Sequence, residues 1–308
     1  MINSNKSVTA VVVVYNGEKY LKDCLQSIVD QDYQPLEILV IDDGSTDSTP
    51  SIIKSFGRKI IYFRQDNAGI AIARNKGIEL AIGEYIAFLD ADDIWCPGKI
   101  TAQMQIIDTY PQYAVVFGGF DRIDGSFEYK AFNDLCLQTI KPEIDEHWSG
   151  WLYPRMLLDS WVHIITAVFP KKIVSEIGGF DPDKKVGEDY DFWIRVSKKY
   201  QMAKISCTLA LYRDNPGSVT TKFNPRNYGA EIVQNYIREY GVSDPHGGKV
   251  TTAQIKKRLH EQWFMHGYIA RNNRKYKAAV QSFTKALRYA PFNLGIYKNI
   301  LCAIFHSL

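Results

Sequence analysis

The sequence predicts an α/β fold with a mostly parallel sheet and helices on both faces, followed by a small all-helical C-terminal region. Short β-branched apolar runs alternate with helix-period segments over roughly the first 120 residues, as strand–helix–strand units require. Beyond residue 248 the pattern is helical throughout. We place the boundary between two domains, 1–222 and 223–308, at a connection rich in Pro, Gly and Asn.

The elements of the first domain follow one another in a regular order. The strand TAVVVV comes first, and the segment EKYLKDCLQSIVDQ after it places its apolar residues on one helical stripe. Next come the strand LEILVI, a helix from about Thr46 to Phe56, the strand IIYF, the helix GIAIARNKGIELA and the strand YIAFL. A further strand is predicted near Ala114–Phe120. The first four strands look buried on both faces, which predicts a parallel sheet covered by helices.

Charge is distributed unevenly along a chain whose formal net charge is only +3. From Lys249 to Leu308 there are 11 basic residues and one acid, Glu261, whereas the preceding 248 residues hold 26 basic and 33 acidic residues. An acidic body with a basic tail predicts different partners for the two ends of the chain.

The sequence lacks the features that define several other classes of protein. The five cysteines include Cys136, are widely spaced and contain no CxxC pair, so neither a disulfide framework nor a zinc site is indicated, and a reducing cytosol fits. The run Val8–Val14 is too short to span a membrane. The sequence lacks the GxGxxG, GxxxxGK[ST], HExxH and strand-borne GxSxG motifs. The six histidines are scattered, which favours structural or exposed positions.

Three acidic groups carry the chemistry. Asp90, Asp92 and Asp93 follow a buried strand, and carboxylates crowded this closely need a cation or strong donors between them. Magnesium is typically held by one or two carboxylates plus substrate phosphates. The alternative is a solvated acidic turn that caps the helix after Pro97.

The second acidic group, IDDGSTD, has a structural alternative of its own. Asp-Gly makes a tight turn, and Ser45 or Thr46 would cap the next helix. That alternative leaves unexplained two acids, Asp42 and Asp43, at a strand end. A carboxylate in this place can accept a hydrogen bond from a nucleobase N–H.

The third acidic group opens the segment GEDYDFWIRV. Glu188, Asp189 and Asp191 stand in a predicted first helical turn, where the helix dipole favours negative charge. They are therefore either a charged helix N-terminus or a general base beside an aromatic wall.

Four motifs in order resemble glycosyltransferase family two, an inverting family with the GT-A fold. They are VVVVYNGEKYLKDCLQSI, LEILVIDDGSTDST, NAGIAIARNKGIELAIGEYIAFLDADD and GGFDPDKKVGEDYDFWIR, and the resemblance spans about Val8 to Arg213. The chain has neither a Gln-x-x-Arg-Trp motif nor a predicted transmembrane segment, both typical of processive synthases. We therefore expect a non-processive, hexosyltransferase-type enzyme.

The resemblance implies roles for particular residues. Asp189 corresponds to the catalytic base, Asp92 to the metal position for Mn²⁺ or Mg²⁺, and Asp43 to the base-reading aspartate. The other residues implied to bind the nucleotide sugar are Tyr15, Asn16, Asn67, Gly69, Arg74, Asp90 and Ala91. The implied partners are a nucleotide-diphosphate sugar, with a UDP-sugar expected first, and a glycan or lipid-linked acceptor. We expect a role in bacterial cell-surface polysaccharide synthesis.

Alternatives remain for the role of the acceptor region and for the function of the whole protein. Trp148, Trp151 and Trp161 either stack on sugar rings or belong to the core. A non-catalytic nucleotide-sugar-binding scaffold, whose tail recruits partners, is the alternative to an enzyme. A sugar-phosphate nucleotidyltransferase would need a Gly-rich loop where this chain has only the Tyr15–Gly17 turn.

The C-terminal region contains one imperfect tetratricopeptide-like repeat. The positions that match are Trp263, Gly267, Ala279, Phe283, Ala286 and Pro291. Because one repeat cannot bury its own face, it must pack on the catalytic domain, on another subunit in a homodimer, or on a membrane. The segment Phe292–Leu308 is predicted to form an amphipathic helix. We therefore expect a cytoplasmic protein with peripheral contact at the inner membrane face. We expect no nucleic acid partner.

Overall fold

A computed structural model describes residues 6–127, 129, 140–214 and 223–305. The described residues group into two compact units. The first lies within Met1–Leu152 and Val162–Asn215, and the second within Tyr153–Trp161 and Pro216–Leu308. Of the predicted features, Cys136 and Leu308 lie outside the described residues. The boundary at residues 222 and 223 stays a prediction.

A mixed eight-stranded sheet forms the centre of the first unit. Its strands are β1 Val8–Val14, β2 Leu36–Asp42, β3 Ile61–Arg64, β4 Tyr85–Asp90, β5 Ile94–Trp95, β6 Tyr113–Ile123, β7 Val168–Pro170 and β8 Gln201–Arg213. They lie in the order β3-β2-β1-β4-β7-β6-β8-β5. Strands β1 to β4 are parallel to their neighbours in this group, β7 is antiparallel to both β4 and β6, and β6 is parallel to β8.

Helices connect the strands, and those that follow β1, β2 and β3 lie where the sequence predicts them. The helices of this unit are α1 Leu21–Val29, α2 Thr49–Ser55, α3 Ile70–Leu80, α4 Lys99–Thr109, α6 Lys172–Ile177 and α7 Glu188–Lys199. The intervening helix, α5 Tyr153–Met156, belongs to the second unit. The side chains that α1 buries on one stripe include Leu21, Cys24, Leu25 and Ile28. Helix α3 packs on β1 and β2, and Gly77 lets it approach closely, because a Cβ there would collide with Val11.

The α/β architecture is confirmed, with one correction in the sheet. Strands β1, β2 and β4 are largely buried, but β3 is an edge strand whose Ile61 is exposed. The expectation that all four strands are buried on both faces was therefore wrong for β3. An edge strand pairs on one side only, and apolar composition alone does not distinguish it from a central strand.

The second unit is helical in its described part. It contains α5 Tyr153–Met156, α8 Tyr228–Tyr240, α9 Thr252–Asn272, α10 Tyr276–Leu287 and α11 Leu294–Phe305. Helices α9 and α10 pack closely, since Gly267 lies under the Phe283 ring and a Cβ at that position would be 2.8 Å from it. In the described part of the chain, no helix is both long enough and apolar enough to cross a bilayer.

Candidate active site

Three turns, two of them acidic, meet at one edge of the sheet. The parallel register sets Val13 opposite Asp90 and Val14 opposite Asp42, so β1, β2 and β4 end together. The backbone N–H of Asp43 then donates to the Val14 carbonyl at 2.8 Å and carries the register into the turn. This common edge is where open α/β sheets bind ligands.

The turn after β1 is fastened to the turn after β2. Asn16 has φ +53°, an uncommon conformation that asparagine tolerates. Its side-chain oxygen accepts from the N–H of Thr46 at 2.8 Å, and its own N–H donates to Ser45 Oγ at 2.9 Å. Ser45 and Thr46 therefore hold this turn and do not cap the following helix, which begins at Thr49. The neighbouring Tyr15 is 54% exposed at the edge.

Asp43 is buried and organises the loop before α3. Its carboxylate accepts from Gln65 Nε2 at 2.7 Å and from the N–H groups of Ala68 and Gly69, each at 2.9 Å. The loop passes close to the β2 turn, since a Cβ on Gly44 would lie 2.9 Å from the nitrogen of Asn67. Asp43 thus fixes the position of Asn67 and Gly69, two residues predicted to contact the nucleotide.

Asp42, its neighbour, has different partners. It accepts from Tyr62 Oη at 2.8 Å, from Arg64 Nη1 at 3.1 Å and from the N–H of Ser45 at 2.8 Å. Burial, and then the bond to Asp42, raise the pKa of Tyr62. Asp42 therefore serves the fold, which accounts for the first acid of the IDD sequence.

Arg74 joins two of the acidic groups. From α3 its guanidinium donates to Asp90 Oδ1 at 2.8 Å and to Glu188 Oε1 at 2.5 Å. The side chain is buried against the rings of Phe88 and Phe180. Burial by itself lowers the pKa of Arg74, but the carboxylates around it outweigh burial and raise that pKa above its ordinary value. A permanently charged arginine thus holds the end of β4 beside the start of α7.

Helix α7 begins at the acidic sequence and presents Asp189 at its first turn. Gly187, with φ +79°, precedes the helix, and the Asp189 carboxylate accepts from the Tyr190 N–H at 2.7 Å. Glu188 is buried; burial raises its pKa, and the Arg74 charge offsets part of that increase. Asp191 faces another way and pairs with Arg195 at 3.0 Å. Of the three acids, Glu188 is thus connected to the end of β4 through Arg74, Asp189 follows it in the first turn, and Asp191 supports the helix.

The turn after β4 is anchored through Asp93. This side chain is buried, and its Oδ1 accepts from the Arg213 N–H at 2.8 Å, while Arg213 Nε donates to the Asp92 carbonyl at 2.9 Å. Burial, followed by the charges of Asp90 and Asp92, raises the pKa of Asp93 well above its usual range. The turn is therefore not a freely solvated acidic cap.

The residues present fit a cation that is shared with a substrate. No group of three or more His, Cys, Asp or Glu side chains suited to a metal occurs among the described residues. Magnesium and manganese sites of one or two carboxylates completed by substrate phosphates need no such group. Asp92 lies two residues from Asp90, whose Oδ1 is engaged by Arg74, and Asp93 Oδ2 is buried with no hydrogen-bond partner in the described part of the chain. Carboxylate oxygens at this turn have the chemistry that such a cation requires.

Comparisons with known proteins identify the family. Residues 9–159 match the family described as "Glycosyl transferase family 2". An uncharacterised glycosyltransferase of Rickettsia typhi is 35% identical over 197 residues, which are 63% of this chain and 60% of that protein. The chain contains a glycosyltransferase family 2 domain. The glycosyltransferase GlyG of Streptococcus pneumoniae is 29% identical over 77% of this chain and 80% of its own length.

Solved structures give the same fold for this family 2 chain. The crystal structure of Staphylococcus aureus TarS 1–349 in complex with UDP-GlcNAc has a TM-score of 0.63 at 18% identity, covering 92% of this chain and 81% of that one. The mannosyltransferase PcManGT from Pyrobaculum calidifontis, in complex with GDP-Man and Mn²⁺, has a TM-score of 0.58 at 16% identity, covering 99% and 86%. The predicted GT-A fold is thus confirmed.

Sequence reasoning missed a ring cluster beside the acidic turns of this chain. His163 lies 4.8 Å from the Phe120 ring and 5.3 Å from the Tyr212 ring, between centroids, and Tyr212 directly precedes Arg213. Burial lowers the pKa of His163, while the charges of Asp189 and Asp90 act in the opposite direction. Its Nδ1 is buried with no hydrogen-bond partner among the described residues. No local motif marks His163, because it lies in a connection, before the turn Ile164–Thr166, and meets rings from two distant strands, β6 and β8.

Two cavities differ in their relation to the site. One of 380 Å³ lies at the start of α3, where its lining includes Asn67, Gly69, Lys184 and Lys185. A larger one of 650 Å³ lies near the start of β4, beside Tyr85, and contains none of the predicted site residues. Ligands of open α/β sheets bind at the opposite ends of the strands, so we assign the smaller cavity to the site.

The three tryptophans considered for acceptor binding do not lie in one unit. Trp148 and Trp151 are half-buried in the first unit, and Trp161 is exposed in the second.

Proposed function

We propose that this protein transfers one sugar at a time from a nucleotide-diphosphate donor to a hydroxyl of a glycan or lipid-linked acceptor, with inversion at the anomeric carbon. The observation that carries the proposal is the pair of bonds from Arg74 to Asp90 and Glu188. They hold the turn that contains Asp92 next to the helix start that contains Asp189. This proximity supports a leaving-group site and a base that act at one place.

The donor half of the proposed site is the edge formed by β1 and β2. Asp43 has four acceptor positions on its two carboxylate oxygens, and three donors among the described residues use three of them. We assign the remaining one to a nucleobase N–H, with Tyr15 and Asn16 lining the nucleoside pocket. That TarS was crystallised with UDP-GlcNAc supports a UDP-sugar as the first donor to test.

The diphosphate is assigned to the turn after β4. Asp92 and the substrate phosphates would hold Mn²⁺ or Mg²⁺, and Ala91 and Asp90 would line the ribose and sugar. When bound, such an ion neutralises charge that develops on a departing nucleotide diphosphate. Arg74 keeps Asp90 in place during this step, because its second bond to Glu188 fixes the guanidinium.

Asp189 acts as the general base in this proposal. It takes the proton from the acceptor hydroxyl as that oxygen attacks the anomeric carbon from the face opposite the nucleotide. A single displacement of this kind inverts the configuration, and a positioned base is worth ~10²–10⁴-fold in rate. The ring cluster of Phe120, His163 and Tyr212 borders the same edge, on the side we assign to the acceptor.

The cellular role completes the proposal. The chain spans 60% of the length of the Rickettsia typhi relative. Its activity, substrates and partners are therefore proposals. We infer a step of bacterial cell-surface polysaccharide or glycolipid assembly, carried out in the cytoplasm at the inner membrane face.

Slow donor hydrolysis tests the reaction without an acceptor. UDP-GlcNAc, UDP-glucose and GDP-mannose would be incubated with the protein and Mn²⁺, and released nucleotide measured. We expect one donor to be hydrolysed, and the Asp189→Asn variant to bind it without hydrolysis. Binding without hydrolysis by the unsubstituted protein would instead indicate the non-catalytic scaffold, and no binding of any nucleotide sugar would contradict both.

A further inference from the structure

Helix α11 exposes an apolar face to solvent. Leu294, Tyr297, Leu301 and Phe305 recur at spacings of three and four residues, so they lie on one side of the helix. Leu294 is 81% exposed, Leu301 55% and Phe305 73%. Phe292, just before the helix, is also exposed and extends this surface, which we call the outer stripe.

The outer stripe is not needed for packing within the second unit. Helix α11 packs on α10 through the opposite side, where Ile296 and Ala303 are buried. Arg271 of α9 additionally donates to Asn299 Oδ1 at 2.5 Å and holds α11 in position. The helix is thus apolar on two sides, and only one of them is used by the fold. Contiguous exposed apolar surface of this kind marks an interaction site.

The positive charge of this region indicates which kind of partner the outer stripe binds. Residues 249–308 contain 11 basic residues and one acid, Glu261, and α11 itself contains Lys298 and no acid. Two copies of so basic a region repel each other, whereas an anionic surface attracts it. The area of the outer stripe also argues against a dimer. Its five side chains supply on the order of 500 Å², which is less than the about 800 Å² per partner that stable dimers bury.

We propose that α11 docks flat on an anionic lipid surface, with the outer stripe inserted among the lipid headgroups and the basic residues around it facing the lipid phosphates. A helix of 12 residues is about 18 Å long, well short of the ~30 Å hydrocarbon core, so it lies in the interface and does not span it. This inference is independent of the transfer reaction, because no residue of the site at the sheet edge takes part in it.

Vesicle flotation of the full chain tests the proposal. Vesicles of phosphatidylcholine alone would be compared with vesicles that also contain phosphatidylglycerol, at low and high salt. We expect flotation with the anionic vesicles, reduced by salt and by Lys298→Glu. The double variant Leu301→Ser/Phe305→Ser should lose at least about tenfold in bound fraction, because two apolar side chains no longer insert.

A matched control separates the outer stripe from apolar surface in general. Ile82, on the first unit, is also 81% exposed, and Ile82→Ser should float like the unsubstituted protein. Thermal unfolding followed by circular dichroism establishes that each variant is folded. The proposal is overturned if the full chain never floats with anionic vesicles, or if the folded double variant floats unchanged. Sedimentation that reveals a dimer, lost in the double variant, would also overturn it, because the stripe would then be a contact between copies.

Discussion

Arg74 Nη1 and Glu188 Oε1 lie 2.5 Å apart, although the two residues are 114 positions apart in the sequence. Both side chains are buried, and the other terminal nitrogen of the same guanidinium donates to Asp90. One side chain therefore connects the third helix, the end of the fourth strand and the start of the helix that contains Asp189. Replacing Arg74 should therefore destabilise the protein more than breaking a surface ion pair would.

Replacing Arg74 by Met should destabilise the protein by about 3–5 kcal/mol, because Asp90 and Glu188 are left without their cation. Glu188→Gln should cost less, since burial already raises the pKa of that carboxyl. Urea unfolding of the two single variants and the double variant would give a coupling energy, expected at about 1–3 kcal/mol. Additive effects would show that the contact contributes nothing specific.

Asp189→Asn should lower transfer and donor hydrolysis by about 10²–10⁴-fold, because the amide cannot take the proton of the attacking hydroxyl. Nucleotide-sugar affinity should stay nearly unchanged in calorimetry, since Asp189 is assigned to the acceptor side. Asp108→Asn is the control, as Asp108 pairs with Lys6 at 2.7 Å and belongs to none of the turns or cavities assigned to the site. Equal turnover by Asp189→Asn and the unsubstituted protein would remove Asp189 from the mechanism.

Asp92→Ala should weaken the binding of nucleotide and of Mn²⁺ together, because the proposed cation is shared between this carboxylate and the diphosphate. Isothermal titration with UDP in the presence and absence of Mn²⁺ measures the effect directly. Asp32→Ala serves as control, since Asp32 precedes β2 and lies toward the other end of the strands. Identical affinities in the Asp92 variant and the control would contradict the assignment.

Lys99→Met should raise the free energy of unfolding at neutral pH by about 1–3 kcal/mol. Lys99 is fully buried 4.2 Å above the Trp95 ring centroid, and its Nζ has no hydrogen-bond partner among the described residues. Burial lowers the pKa of Lys99 well below 10.5, so the unfolded chain binds this proton more tightly and stability is lost as pH falls below 10.5. Methionine removes that penalty. The exposed Lys22→Met should have no comparable effect in the same denaturation experiment.

His163→Phe should make the protein less sensitive to mild acid. Burial lowers the pKa of His163 below 6.5, so the unfolded chain takes up a proton that the folded chain excludes, and stability falls as pH drops through and below 6.5. Phenylalanine preserves ring contacts with Phe120 and Tyr212 but cannot titrate. Denaturation at pH about 7.5 and about 5.5 should give a smaller loss in the variant. The same loss in both proteins would exclude His163 as a contributor.

Much of the donor half of the site is predictable from the amino-acid sequence alone. The apolar runs of β1, β2 and β4 and the turns after them are local patterns, and parallel connectivity places those turns at one edge. The interpretation of Ser45 and Thr46 as helix caps was wrong, because their partner, Asn16, comes from a different strand end. Capping is judged from neighbours in sequence, and a competing partner 29 or 30 residues away leaves no local signal.

Local patterns in the chain were enough to predict the succession of strands and helices, the acidic character of the strand ends and the family, because apolar periodicity and short motifs are properties of neighbouring residues. Which charges meet depends instead on the packed fold. Arg74 contacts Glu188 only in the packed fold, and Arg213 binds Asp93 from 120 residues away because β8 pairs antiparallel with β5. Such pairings depend on how whole elements pack, and burial then makes each one strong, since little water remains to compete for the charges.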